Sequence, residues 1–77
     1  MPPPSPPPDW VLVKRRKIGD RIRAVRTAAR LSQERLAEYA GIDRQAVNKI
    51  EMGHSAARVD TLIRIADALD VPLRDLV

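Results

Sequence analysis

The 77-residue sequence predicts an all-α fold, a compact five-helix domain preceded by a Pro-rich flexible tail. Three observations carry that expectation. Apolar residues recur at the helical period in two stretches, Ile18, Ile22, Val25, Ala29 and Leu62, Ile65, Ala66, Leu69. Helix-start and helix-stop residues punctuate the chain between and after them: Ser32, Gly41, Asp43, Gly53, Asp60 and Pro72. Six of the seven prolines fall in the opening MPPPSPPP, a leader that favours solvated polyproline II and offers no apolar face to bury. About 65 residues then remain to fold, enough for one small domain. A core of that size supplies about 3–5 kcal/mol of net stability, so a second copy or a bound partner would help it. The boundary is placed so that residues 1–13 form the tail or arm and residues 14–77 the domain.

The first helix carries the Ile18–Ala29 stripe. Gly19 weakens it by up to about 1 kcal/mol relative to alanine, which blurs its start. WVLV at residues 10–13 reads either as a short strand or as an N-terminal extension of this helix capped by Asp9; four residues do not discriminate by period. Ser32 caps the second helix, with Glu34 in the first turn favouring its positive end. Leu36, Ala37 and Ala40 form its inner face, and Gly41 supplies the left-handed residue that ends it. Asp43 is the expected cap of the third helix, whose inner face is Val47 and Ile50 and whose end is Gly53. HSAARV is a loop. Asp60 opens the fourth helix, and Pro72 is suited to begin a short fifth one because its missing N–H needs no partner there. Leu73 and Leu76 give that last turn an apolar side.

Residues 33–52, QERLAEYAGIDRQAVNKIEM, place two short helices either side of Gly41-Ile42-Asp43. Helices crossing steeply over so short a turn bring their backbones close. A small residue is needed at the crossing, and Ala37 provides it. A residue that accepts positive φ is needed at the turn, and Gly41 provides it. Leu36, Ala40, Ile42, Val47 and Ile50 pin both helices to the body. This is a helix-turn-helix. With Val47 and Ile50 inward, Arg44, Gln45, Asn48 and Lys49 share the outer face of the second member. Arginine and lysine donate to guanine, and glutamine and asparagine pair with adenine, so these residue types suit base edges. No carboxylate stands among them to repel phosphate. A merely solvated helix face would also be polar, but that alternative does not explain the missing acids.

Composition excludes several classes. Without cysteine there is no disulfide and no zinc–thiolate site, and His54 alone builds no metal site. No cofactor is expected. No apolar run is long enough to span a membrane, and the leader is not a signal peptide. The net charge of +4 is unevenly spread. Lys14, Arg15, Arg16, Lys17, Arg21, Arg23, Arg26 and Arg30 face only Asp20 within residues 14–30, a net +7. Such a stretch is either a solvated face or a contact for a polyanion, most simply nucleic acid. The excess of arginine over lysine, 11 to 3, fits a GC-rich bacterial genome.

The segments IGDRIRAVR, LSQERLAEYAGIDRQAVNKIEMG and TLIRIADALDVPLRDLV resemble the xenobiotic-response-element (XRE) family of Cro and phage-repressor helix-turn-helix domains, in the family's order and spacing across residues 18–77. The resemblance implies five helices, double-stranded DNA as partner and a homodimer on a two-fold symmetric operator. It implies base reading by Arg44, Gln45, Asn48 and Lys49, and a phosphate contact from Gln33. It also implies that Arg26 and Glu51 pair to tie helix one to the end of helix three. Removing one partner would cost about 3–5 kcal/mol if that pair is buried and under about 1 kcal/mol if exposed; partial burial is the expectation. The chain departs from the family at Arg30, where glycine is frequent, at Ala56 and Ala57, where proline is usual, and at Pro72. The loop after helix three makes His54, Ser55 and Arg58 weaker phosphate candidates. The leader and Lys14, Arg15, Arg16 and Lys17 lie outside the match; the four cations form a candidate basic arm of the kind that touches phosphates or the minor groove.

The reading is therefore a sequence-specific DNA-binding regulator, a repressor in the bacterial cytoplasm associated with the nucleoid, with a recognition helix over residues 44–52 in the major groove. The alternative is an antitoxin or adaptor that uses the same fold to hold a protein partner. An enzyme is not expected, because no nucleophile–base set, carboxylate pair or phosphate loop is visible.

Overall fold

The computed structural model describes residues 5–77. Four α-helices, α1 (Asp9–Ala28), α2 (Gln33–Ala40), α3 (Arg44–Glu51) and α4 (Val59–Ala68), are followed by a 3-10 turn at Leu73–Asp75. The expected fifth helix is thus corrected to a single tight turn. Pro72 stands before it in extended conformation, and the closing bonds run three residues back, Asp75 N–H to the Pro72 carbonyl and Leu76 N–H to the Leu73 carbonyl. A turn so closed still seats Leu76 fully in the core.

WVLV resolves as helix. The structure begins α1 at Asp9 with Pro8 at the cap position, so Asp9 is the first helical residue and not the cap. The boundary expected between residues 13 and 14 falls inside α1. Of the expected tail, residues 5–8 carry no helix or strand and residues 1–4 lie outside the described residues. Asp60 likewise sits one residue inside α4, which Val59 opens with Arg58 at its cap position. Asp43 occupies the cap position of α3 without a side-chain hydrogen bond. Ser32 does cap α2, its hydroxyl accepting from the Arg35 N–H at 3.0 Å.

All four helices end in the same closure. The residue after the last turn adopts the left-handed conformation, and the next N–H reaches back to the helix: Leu31 to the Arg26 carbonyl, Ile42 to Ala37, His54 to Lys49 and Val71 to Ala66. Gly41 and Gly53 fill two of these positions, but Arg30 at φ 59° and Asp70 at φ 56° fill the others. Arg30 thus takes after α1 the same left-handed position that glycine takes after α2 and α3.

The core is continuous through all elements. Ile22 from α1, Leu36 from α2, Val47 from α3, Ile65 from α4 and Leu76 are its fully buried side chains, each contributing about 1.5–3 kcal/mol of transfer free energy. Ala37 and Ala40 let α2 approach α3 and α4 closely. Gly19 has a role beyond its low helix propensity. A Cβ there would strike the backbone of Ile50 and Glu51, lying 2.8 Å from the Glu51 carbonyl carbon. Its absence lets α1 cross the end of α3 at backbone contact.

Candidate nucleic-acid interface

The α2–turn–α3 unit exposes the outer face of α3. Arg44, Gln45, Asn48 and Lys49 are all exposed, while Val47, Ile50 and Glu51 on the opposite side are buried. The helical period alone separates these two sets.

Two flanks border this face. On one, Gln33 at the start of α2 reaches across to α3. Its Nε2 donates to Asn48 Oδ1 at 3.2 Å and to Glu51 Oε1 at 3.1 Å. On the other, Gln45 and Lys49 line one open groove with Asp43, Ser55, Arg58 and Thr61. Of the candidate phosphate contacts, Gln33, Ser55 and Arg58 thus border the face directly. His54 is exposed, and its N–H closes the end of α3 on the Lys49 carbonyl at 2.9 Å.

Beneath the face lies the Arg26–Glu51 pair. Arg26 Nε donates to Glu51 Oε2 at 2.7 Å and Nη2 to Oε1 at 2.9 Å, a two-pronged contact. Arg26 Nη1 donates to the Leu31 carbonyl at 2.9 Å. Arg26 and Glu51 retain only 9% and 4% of their exposure, so the pair is buried, more completely than expected. The hydrogen bonds to Glu51 hold the Arg26 guanidinium above its ordinary value; burial pushes the other way, and the attraction of the Glu51 charge adds to the rise. Among the described residues no buried side-chain polar atom lacks a partner, the condition under which a buried ion pair is tolerated. Arg26, Glu51, Gln33 and Asn48 therefore form one connected chain from core to surface. The link through Gln33 has no signal in the sequence, since its partners lie 15 and 18 residues away.

The four cations of the expected arm are helical and diverge. Arg15 lines a cleft with Val11, Ser55, Ala56 and Ala57. The Arg16 backbone packs on Gly53, which follows α3. Lys14 and Lys17 lie on another side of α1, with Arg21 and Val77.

A family model described as HTH_3, helix-turn-helix, matches residues 22–76. The chain belongs to the HTH_3 family. This HTH_3 chain is 36% identical over 54 residues to YonR of Bacillus subtilis, an SPbeta prophage-derived uncharacterized HTH-type transcriptional regulator, covering 70% of this chain and 50% of that protein. It is 41% identical over 56 residues to an uncharacterized transcriptional regulator in the ATPase CF(0) region of Rhodospirillum rubrum, covering 73% of this chain and 52% of that protein. The chain thus spans about half the length of these curated relatives. Among solved structures it resembles the restriction-modification controller protein C.AhdI from Aeromonas hydrophila. The TM-score is 0.83 at 38% identity, over 84% of this chain and 98% of that one. These similarities agree with the XRE-type resemblance. Among the described residues no helix is long and apolar enough to cross a membrane.

Proposed function

We propose that this HTH_3 chain is a sequence-specific double-stranded DNA-binding transcriptional regulator, acting as a repressor and not as an enzyme. The observation that carries the reading is the outer face of α3: Arg44, Gln45, Asn48 and Lys49 exposed together, with Gln33 on one flank and Ser55 and Arg58 on the other. Base-edge donors and acceptors in the centre with phosphate-type contacts at both margins is the division of labour that reading DNA requires. In this reading α3 enters the major groove. The first backbone N–H groups of α2 receive a phosphate beside Gln33, and Arg15 adds a contact from α1. Two copies place two such helices about 34 Å apart on a two-fold symmetric operator. The setting is the bacterial cytoplasm, at the nucleoid.

Selection of bound duplexes from a random pool tests this. Enrichment of a motif with two half-sites one helical turn apart is the expected result. A pool that enriches no motif removes the DNA reading and favours the antitoxin or adaptor use of the same fold.

A further inference from the structure

We propose that Gln33 is a positioning residue that locks the polarity of the Asn48 amide, so that Asn48 meets DNA with its Nδ2 donors and rejects cytosine at the position it reads. The inference deepens the DNA reading above and rests on it for the base preference; the lock itself is a property of the free protein.

The polarity is set in the core. A guanidinium has no acceptor and a paired carboxylate has no donor. Arg26 Nε and Nη2 donate to the two oxygens of Glu51, and both residues are buried. This end of the hydrogen-bonded chain therefore runs in one direction. Gln33 Nε2 donates to the same Glu51 Oε1 at 3.1 Å. Turned over, Gln33 would set its carbonyl oxygen against a carboxylate, so its amide has one favourable orientation. Nε2 also donates to Asn48 at 3.2 Å, and Asn48 answers with Oδ1. An amide NH2 carries two hydrogens, and these two acceptors use both. The phosphate beside α2 is left to the backbone N–H groups.

Asn48 inherits this direction. A solvated asparagine can turn its amide over and present either a donor or an acceptor. Asn48 cannot do so without setting its own NH2 against that of Gln33. Oδ1 is the side-chain atom that bonds within the chain, and Asn48 is exposed, so Nδ2 is left for a partner outside. In the major groove guanine offers O6 and N7 as acceptors, adenine offers N7 and thymine offers O4, whereas cytosine presents its N4 donor. A locked Asn48 thus accommodates three bases and sets donor against donor at the fourth. Residue 48 taken alone carries no such preference; Arg26, Glu51 and Gln33 impose it in sequence.

Two measurements on the full chain test this, with circular dichroism confirming that each variant is folded. The first is solvent exchange of side-chain amide hydrogens in the free protein by NMR. Those of Gln33 should exchange roughly threefold or more slower than those of exposed Gln45. The second is selection of bound duplexes from a random pool. Asn48→Ala identifies the position that Asn48 reads, as the one whose preference it relaxes. There the pair that sets cytosine before Asn48 should be depleted roughly tenfold in the wild-type pool. Gln33→Met, which keeps length without polar atoms, should remove most of that depletion. Gln33→Lys, a donor to both acceptors, should keep it. Asn48→Asp presents acceptors alone and should enrich the pair that the wild type depletes.

Gln33 hydrogens that exchange as fast as those of Gln45 overturn the lock with no DNA present. Depletion that survives Gln33→Met, or an A·T pair enriched by Asn48→Asp, overturns the base preference and leaves the DNA reading standing. So does an Asn48→Ala variant that weakens all duplexes alike, because its donors then meet phosphate. A pool that enriches no motif removes the DNA reading and the base preference with it, while the exchange rates still decide the lock.

Discussion

Gln33 and Asn48 are joined across the helix-turn-helix. The Gln33 side chain, at the first position of α2, donates to the Asn48 side chain on the exposed face of α3. The same Nε2 donates to Glu51, whose carboxylate is held by Arg26. A residue expected to touch phosphate therefore also orients a residue expected to touch bases. Gln33→Ala and Asn48→Ala should be non-additive for DNA affinity, with an interaction energy of about 0.5–3 kcal/mol. Titration of the two single variants and the double variant on a selected duplex measures it; additive losses would mean the two side chains act separately.

Arg26→Met should destabilise the fold by about 3–5 kcal/mol, because it leaves the Glu51 carboxylate buried without its cation. It also orphans the Leu31 carbonyl. Pairing it with Glu51→Leu should recover part of the loss. Denaturant unfolding of the three variants gives the comparison. A cost below about 1 kcal/mol for Arg26→Met is the value expected of an exposed pair and would contradict the burial.

Gly19→Ala should destabilise by about 1–3 kcal/mol, the usual range for overpacking. Helix propensity alone would stabilise this variant by up to about 1 kcal/mol. The sign of the change in denaturation midpoint distinguishes the two, since the backbone of Ile50 and Glu51 leaves no room for the methyl group.

Arg30→Gly should raise stability slightly, by about 0.5 kcal/mol. The left-handed conformation costs an ordinary residue about 1–2 kcal/mol, and glycine returns up to about 1 kcal/mol of that through its greater unfolded-chain entropy. Thermal unfolding measures the shift. A clear loss would show that the Arg30 side chain contributes something its exposed position does not reveal.

Arg44→Ala and Gln45→Ala should each cost about 1–3 kcal/mol on a selected duplex and relax preference at one position per half-site. Arg58→Ala should weaken all duplexes alike and make affinity less salt-dependent. Repeating the selection with each variant reads both effects; equal loss from Arg44→Ala on selected and random duplexes would contradict base reading.

The sequence by itself determined the helix-turn-helix and the face it presents. Ser32, Gly41 and Gly53 act within a turn of their own position, and the period that buries Val47 and Ile50 turns Arg44, Gln45, Asn48 and Lys49 outward. Local steric and hydrogen-bonding rules suffice for such features. The chain ends of the elements were less legible. Asp70 bears none of glycine's marks yet takes the left-handed position after α4, and Leu73–Asp75 closes as a 3-10 turn where a helix was expected. WVLV is ambiguous by itself because four residues carry no usable period, and it is helix as part of the full length of α1. Tertiary structure alone decided three things: that Gly19 is a point of backbone contact and not a weak spot, that Arg26 and Glu51 are buried, and that Gln33 connects them to Asn48. Each depends on groups far apart in sequence meeting in space, and the backbone crossing of α1 over α3 that brings them together is set by packing of the whole core.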